Sequence, residues 1–394
     1  MLPELGHLNA TLKLARSLRL RGHQVYYLVG SEYDAYMRAQ DLNFISLGGG
    51  FTHPNKSSTQ LDLMEYLLEA RMQGWALSEY YTGVLRMFRQ EIASLIPKLR
   101  PNLFLIDPFA PDIALVAQEL RLPFVFLNSA LANPLADTAV FNRHPDLAQV
   151  PELILCAGEF DFPQATKPGK SPRYYLGPSV DLQRKENDSF DWQKVDPSKL
   201  LILCTLGSQL QSWAGAKRFF QVIIDAVSDL PDSQLIIVTG AHFAHDFQCV
   251  PANVTVMPRV PQLQILKKAG VLITHGGLNT IKEALLLGTS MIVFPSAADQ
   301  PMNAARIAYH GLGLTGNLAT VTAEQARALI ERVLQTGFRE RVLAFRQLLQ
   351  KIEDEDLGSK IVEAILASVG KRARAVSGAT VDAIEDRAYG MVSK

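Results

Sequence analysis

His275-Gly276-Gly277-Leu278-Asn279-Thr280-Ile281-Lys282-Glu283 concentrates a histidine, two glycines, an asparagine, a threonine and a glutamate in one short stretch. The apolar run Val271-Leu272-Ile273 precedes it, and apolar spacing over residues 280–287, closed by Gly288, predicts an amphipathic helix. A strand feeding a glycine turn and a helix start is the sequence form of an anion site. The first helical amides have no intrahelical acceptor, and the helix dipole adds positive potential there. Glycine lets backbone N–H groups approach a ligand closely, and His275, Asn279 and Thr280 add side-chain donors. Glu283, one turn into the helix, can accept from hydroxyl groups. Asp299 and Gln300, after a predicted strand at 291–294, supply the acceptor-and-amide pair that a polyhydroxylated ring needs.

The elements that must position these residues alternate along the chain. Short β-rich apolar runs are separated by longer helical patterns, which argues for parallel sheets covered by helices. Predicted strands fall at 24–29, 43–47, 103–107 and 124–128, then at 200–205, 235–239, 254–257, 271–274 and 291–294. Between the two sets, residues 177–198 are polar and carry Arg184-Lys185-Glu186-Asn187-Asp188, which reads as a linker between two βαβ domains. A chain of 394 residues suits two such domains.

Composition excludes several partners. Lysine plus arginine and aspartate plus glutamate both number 39, and this balance argues against a nucleic-acid partner, which would need a basic surface. Arg16, Arg19 and Arg21 read as the solvated face of a helix. Cys156, Cys204 and Cys249, without metal-ligand spacing, suggest buried thiols in a reducing compartment. No apolar run approaches the ~18–20 residues of a membrane span. Lys13, Arg16 and Arg19 interrupt the N-terminal leucines, so no signal peptide is expected and the expected location is cytoplasmic. Arg86, Arg89 and Lys98 beside apolar residues leave room for a peripheral membrane touch.

Met257-Pro258-Arg259-Val260-Pro261-Gln262, the histidine–glycine segment and Asp299-Gln300-Pro301-Met302-Asn303 together resemble the donor-binding signature of the family 1 glycosyltransferases, the UDP-glycosyltransferase superfamily. That family moves a sugar from a nucleoside diphosphate to an acceptor hydroxyl. The resemblance implies the GT-B architecture: two Rossmann-like domains with parallel sheets facing a central cleft. Residues 1–180 would bind the acceptor and 181–358 the nucleotide sugar, while 359–394 would return a helix to the first domain and end in a tail. By the same resemblance, His275, Gly276, Gly277, Asn279 and Thr280 hold the diphosphate. Glu283 holds the ribose, and Asp299 and Gln300 read the sugar hydroxyls. Ser208, after Leu206-Gly207, touches the diphosphate or is an ordinary βα turn residue. Gln262 belongs to the donor site, as does Val260, which stands where plant members carry a tryptophan stacked on uracil.

Gly6-His7-Leu8-Asn9 resembles the first loop and helix of that family, which places the general base at His7. A hydroxyl is a poor nucleophile, and imidazole is poised near neutral pH to take its proton. Asp107, at a strand's carboxyl edge, is the carboxylate that would fix the His7 tautomer, or else a turn residue. The family's buried first strand has no counterpart ahead of Gly6, where Pro3 would end one. An N-terminal extension of about ten residues, one strand plus a turn, is expected to raise stability and turnover.

The sequence thus leads to an inverting transfer of a hexose from a UDP- or TDP-sugar to a small, largely apolar acceptor, such as a carotenoid or polyketide. The nucleotide sugar is co-substrate, with no metal and no cofactor. Asp299-Gln300-Pro301 with Ala305-Arg306-Ile307-Ala308-Tyr309-His310-Gly311 is similar to the macrolide-type and zeaxanthin glucosyltransferase branch. Two other functions fit the same scaffold: a nucleotide-sugar epimerase, which needs no acceptor, and a catalytically idle nucleotide-sugar-binding helper.

Overall fold

The computed structural model describes residues 5–47, 79–131, 144–163, 172–186, 190–207, 215–241, 243, 246–247 and 249–374. The first half begins with α1 (Leu5–Leu20), β1 (Tyr26–Gly30), α2 (Asp34–Ala39) and β2 (Asn43–Leu47). It continues with α3 (Glu79–Leu99), β3 (Phe104–Ile106), α4 (Pro111–Glu119), β4 (Phe124–Asn128), β5 (Glu152–Ile154) and β6 (Arg173–Tyr175). The second half runs β7 (Leu200–Thr205), α5 (Ala216–Ser228), β8 (Ser233–Val238), β9 (Val254–Met257), α6 (Gln262–Leu266), β10 (Val271–Thr274) and α7 (Leu278–Leu287). Then come β11 (Ser290–Val293), α8 (Gln300–Tyr309), β12 (Gly313–Thr315), α9 (Ala323–Val333), α10 (Thr336–Asp354) and α11 (Leu357–Arg374).

The second sheet has the order β12-β11-β10-β7-β8-β9, with every pairing parallel. Its inner strands are buried on both faces and therefore read as unbroken apolar runs rather than alternating ones. The chain winds outward from β7 through β8 and β9, then returns to the other flank of β7 at β10. The direction of winding reverses between β7 and β10, and ligands of such sheets sit beyond the carboxyl ends of the strands at that point. The glycine turn after β10 lies there.

The first half is less regular. Strands β3-β4-β5-β6 form one parallel sheet, while β1 and β2 pair only with each other among the described residues. Helix α1 bridges the two pieces. Leu8, Leu12 and Ala15 pack with Tyr27 and Val29 of β1, while Ala10, Leu14 and Leu18 pack with Val125, Leu127 and Leu153. Ile361, Val362 and Ile365 of α11 close over the second cluster, so the last helix lies on the first half. Two Rossmann-like α/β units with parallel sheets constitute the GT-B fold.

The halves share a core: Ile154, Cys156, Ala157 and Phe160 from the first pack with Leu272, Leu278, Ile281 and Ile307 from the second. Polar contacts accompany it. Lys282 is fully buried and donates from Nζ to the Leu155 carbonyl at 2.6 Å. Asp161 accepts Nε of Arg306 at 2.8 Å and the Tyr175 hydroxyl at 2.6 Å.

Three sequence expectations are corrected. β5, β6 and β12 were not foreseen, since three residues show no periodicity; in β5 the fully buried Glu152 also breaks the apolar pattern. Arg173 at 2.7 Å and Asn128 at 2.6 Å make that burial affordable. The polar segment read as a linker is pinned on both sides. Arg16 binds Asp181 at 2.6 Å rather than facing solvent, and Gln40 exchanges hydrogen bonds with the Lys185 backbone at 2.8 and 3.1 Å. Cys156 and Cys204 are buried, but Cys249 is exposed.

Candidate active site in the cleft between the two halves

Gly276 has φ +90°, a conformation that only glycine adopts without strain, and a Cβ there would meet Val293 Cγ1 at 2.6 Å. Gly277 is the N-cap of α7 and provides no side-chain cap for the first amides of that helix. The His275 ring sits between two turns: a Cβ on Gly207 would come within 2.5 Å of it and one on Gly277 within 2.8 Å. Both glycines are therefore required by the ring. They bring the turns after β7 and β10 together at the point where the winding reverses.

Burial drives the His275 pKa down to about 4, so the ring is neutral at pH 7 and donates as an ordinary N–H. Its Nδ1 lies 3.3 Å from Thr274 Oγ1. Unfolding restores the usual value of 6.5, so between pH 6.5 and about 4 the unfolded chain takes a proton that the folded chain refuses. Stability falls as pH drops through that window, by roughly 3 kcal/mol from this group. His275→Gln is expected to flatten the slope of denaturant-measured stability between those limits; an unchanged slope would show that the ring is not buried neutral.

Asp299 is tied to the same turn. Asn303 is fully buried and donates Nδ2 to Asp299 Oδ2 at 2.9 Å and to the Gly276 carbonyl at 3.0 Å. Asn303 stood in the motif without a role; its spacing of one helical turn from Asp299 was the available signal. Gln300 Oε1 accepts from the backbone of Ser296 and Ala297 at 3.0 and 3.1 Å, and no described residue accepts from its Nε2. Ala298, before Asp299, holds φ +53°, so this turn stores backbone strain beside the site.

Glu283 is fully buried. Oε1 accepts from Arg184 and from Asn279 Nδ2 at 2.7 Å, and Oε2 from Gln262 Nε2 at 2.6 Å. Asn279 thus commits one of its two N–H groups to Glu283. Its Oδ1 is buried with no partner among the described residues, and a diphosphate, which carries acceptors only, cannot satisfy it. Thr280 and Val260 are half-buried, with Val260 packed against the shared core. Ser208 lies outside the described residues.

On the opposite wall, His7 lies in the first turn of α1, and α1 packs against α7. Its Nδ1 is 2.7 Å from Asp107 Oδ2 and 2.9 Å from Ser129 Oγ. Asp107 is buried, which by itself would favour the neutral acid, yet His7 and the Phe109 amide outweigh burial and hold its pKa below the ordinary value. An ionised carboxylate only accepts, so Nδ1 carries the proton in this pair. Ser129, directly after β4, was missed by the sequence reading; its place at a strand's carboxyl end was the clue. Burial pushes Asp299 above the usual carboxylate range, opposed by Asn303 and, from across the cleft, by His7.

Among the described residues there is no cluster of three or more histidine, cysteine, aspartate or glutamate side chains that could hold a metal ion. Nor is any described helix long and apolar enough to cross a membrane.

The two Rossmann-like units with parallel sheets define a GT-B fold. Residues 221–362 match the family model of the erythromycin biosynthesis protein CIII-like C-terminal domain. The NDP-glycosyltransferase YjiC of Bacillus licheniformis is 26% identical over 94% of this chain and 97% of its own. The zeaxanthin glucosyltransferase of Pantoea ananas is 24% identical over 93% of this chain and 95% of its own. Among solved structures, the kitacinnamycin glycosyltransferase superposes with a TM-score of 0.71 at 22% identity, covering 92% of this chain and 97% of its own. The chain is related along nearly its whole length to transferases of nucleoside-diphosphate sugars.

Proposed function

We propose that this chain is an inverting, metal-independent glycosyltransferase that moves a hexose from a UDP- or TDP-sugar to a hydroxyl of a small, largely apolar acceptor. The observation that carries the reading is the His7–Asp107 pair, 2.7 Å apart, with His7 on the helix α1 that packs against α7. The relatives' names, an NDP-glycosyltransferase and a zeaxanthin glucosyltransferase, support the class of donor and an apolar acceptor.

In this reading the diphosphate lies at the amides of Gly277 to Thr280 and beside His275, with Ser208 a further contact. Hydrogen bonds to the charged oxygens contribute roughly 1.5–3 kcal/mol each, against ~0.3–1 kcal/mol for the helix dipole, so individual donors dominate. Asp299 and Gln300 orient the hexose, and Gln262, Glu283 and Val260 border the nucleoside. His7 Nε2 takes the acceptor's hydroxyl proton as the new O–C1 bond forms. The C1–O bond to phosphate breaks on the opposite face, and the nucleoside diphosphate leaves with the electron pair. Asp107 stabilises the imidazolium that results. Work at a cytoplasmic location, with at most a peripheral membrane contact, suits this chemistry.

Labelled UDP- and TDP-hexoses incubated with a panel of hydrophobic alcohols test the proposal. Label is expected on an alcohol, with a chelator present, and donor loss is expected to depend on the alcohol. Conversion of donor without any alcohol, or none at all across the panel, would overturn it.

A further inference from the structure

Two side chains converge on a single ring nitrogen in the first half. His7 Nδ1 lies 2.7 Å from Asp107 Oδ2 and 2.9 Å from Ser129 Oγ. Nδ1 holds either one proton or one lone pair, so both oxygens compete for the same position. Asp107 keeps its charge despite burial, because His7 and the Phe109 amide hold its pKa below the ordinary carboxylate value. An ionised carboxylate cannot donate, so the proton is on Nδ1 and Ser129 Oγ is its second acceptor, in a three-centre bond. A serine in a turn often bonds its own backbone instead. The Ser129 hydroxyl has no other hydrogen-bond partner among the described residues.

The chain around Ser129 is pinned. It follows β4 directly, and Asn128, the last residue of that strand, is fully buried. Asn128 donates Nδ2 to Glu152 at 2.6 Å and accepts the Ala130 amide on Oδ1 at 2.9 Å, which fixes the turn on both sides of Ser129. Phe109 meets the His7 ring edge-on, with centroids 5.5 Å apart. One hydrogen bond to Asp107 sets a distance and a direction but leaves the imidazole free to swing about that line. A second contact off the line stops the swing. It also favours the imidazolium, since a charged N–H bonds an oxygen more strongly than a neutral one does. Asp299 is the other carboxylate that interacts electrostatically with His7.

We propose that Ser129 is a positioning residue for the base: its Oγ shares the Nδ1 proton with Asp107, fixes the plane of the His7 ring and makes it a stronger base. This rests on the reading of His7 as the group that takes the acceptor's proton.

The test follows the His7 ring by nuclear magnetic resonance in the full chain across neutral pH, with His7→Gln identifying its signal. Ser129→Ala is expected to lower the pH at which His7 titrates by about half a pH unit or more. Ser129→Thr keeps the hydroxyl and should leave the titration in place. Ser129→Cys, whose sulfur is a weak acceptor, gives the alanine result if that variant does not fold. Transfer is measured beside it with a labelled UDP- or TDP-hexose and the alcohol that native protein glycosylates. In Ser129→Ala, kcat is expected to fall about three- to tenfold with donor KM unchanged, and the acid limb of its pH profile to move down with the ring. An unmoved titration, a moved one with native kcat and pH profile, or a raised donor KM at native kcat would overturn the role of Ser129 and leave His7 as base. No transfer by native protein, or full activity in His7→Gln, would instead overturn the reading of His7, and this inference with it.

Discussion

His7→Gln is expected to lower transfer by about 10²–10⁴-fold, the span usual for loss of a positioned general base. Glutamine keeps an N–H for Asp107, which is buried and would otherwise lose its partner. Its amide is too weak a base to take a proton from the acceptor. Donor affinity should stay within about twofold, because the proposed reading gives the donor to the glycine turn and α7 and not to His7. Single-turnover transfer beside nucleotide titration separates the two effects. Activity within about tenfold of native would remove His7 as the base, and parallel loss of binding and turnover would point to a damaged fold instead.

The second large effect is expected at the contact between the halves. Asp161 receives Nε and Nη2 of Arg306, each at 2.8 Å, with side-chain exposures of 3% and 6%. The pair sits at the far end of the helix that begins with Gln300, and Arg306 also lies 5.0 Å from the Phe162 ring centroid. Asp161→Ala leaves a buried guanidinium without its carboxylate, which costs about 3–5 kcal/mol. That is a large share of the roughly 5–15 kcal/mol by which folded proteins are stable. Donor affinity should fall as well, since Asp299 and Gln300 lie at the other end of α8. Replacing both partners, Asp161→Leu with Arg306→Met, should restore much of the stability, because no charge is then stranded. If the double variant is as unstable as the single one, packing rather than the ion pair holds this joint. Chemical denaturation of the three variants beside native protein decides.

Much of the second half was legible in the sequence because its strands are buried on both faces. Runs such as Leu201-Ile202-Leu203 and Met291-Ile292-Val293 have no alternation to misread, and the glycine turn punctuates them. His275, Asp299 and Gln300 could be marked from type and spacing alone, as one helix and one turn carry them. The pairing of His7 with Asp107 needed the resemblance, since 100 residues separate them and only the fold brings them together. Ser129 and Asn303 escaped because a lone serine or asparagine has many uses, and its partner decides which one applies. Arg184 and Glu186 escaped for the opposite reason. Charged residues beside Pro and Gly read as solvated, and only the carboxylate of Glu283, together with the Leu263 amide, makes their burial stable. The first sheet was the less legible, because β5 and β6 are three residues each, too short to show a pattern of their own.

The anomeric configuration of the product tests the central claim most directly: a base from the first half faces a donor gripped by the second. Nuclear magnetic resonance of the glycoside formed from an α-linked nucleotide hexose is expected to show the β anomer alone, as one in-line displacement with His7 as base requires. An α-linked product would mean a second displacement or attack from the donor's own face, and would contradict the arrangement of His7, Asp107 and the glycine turn described above.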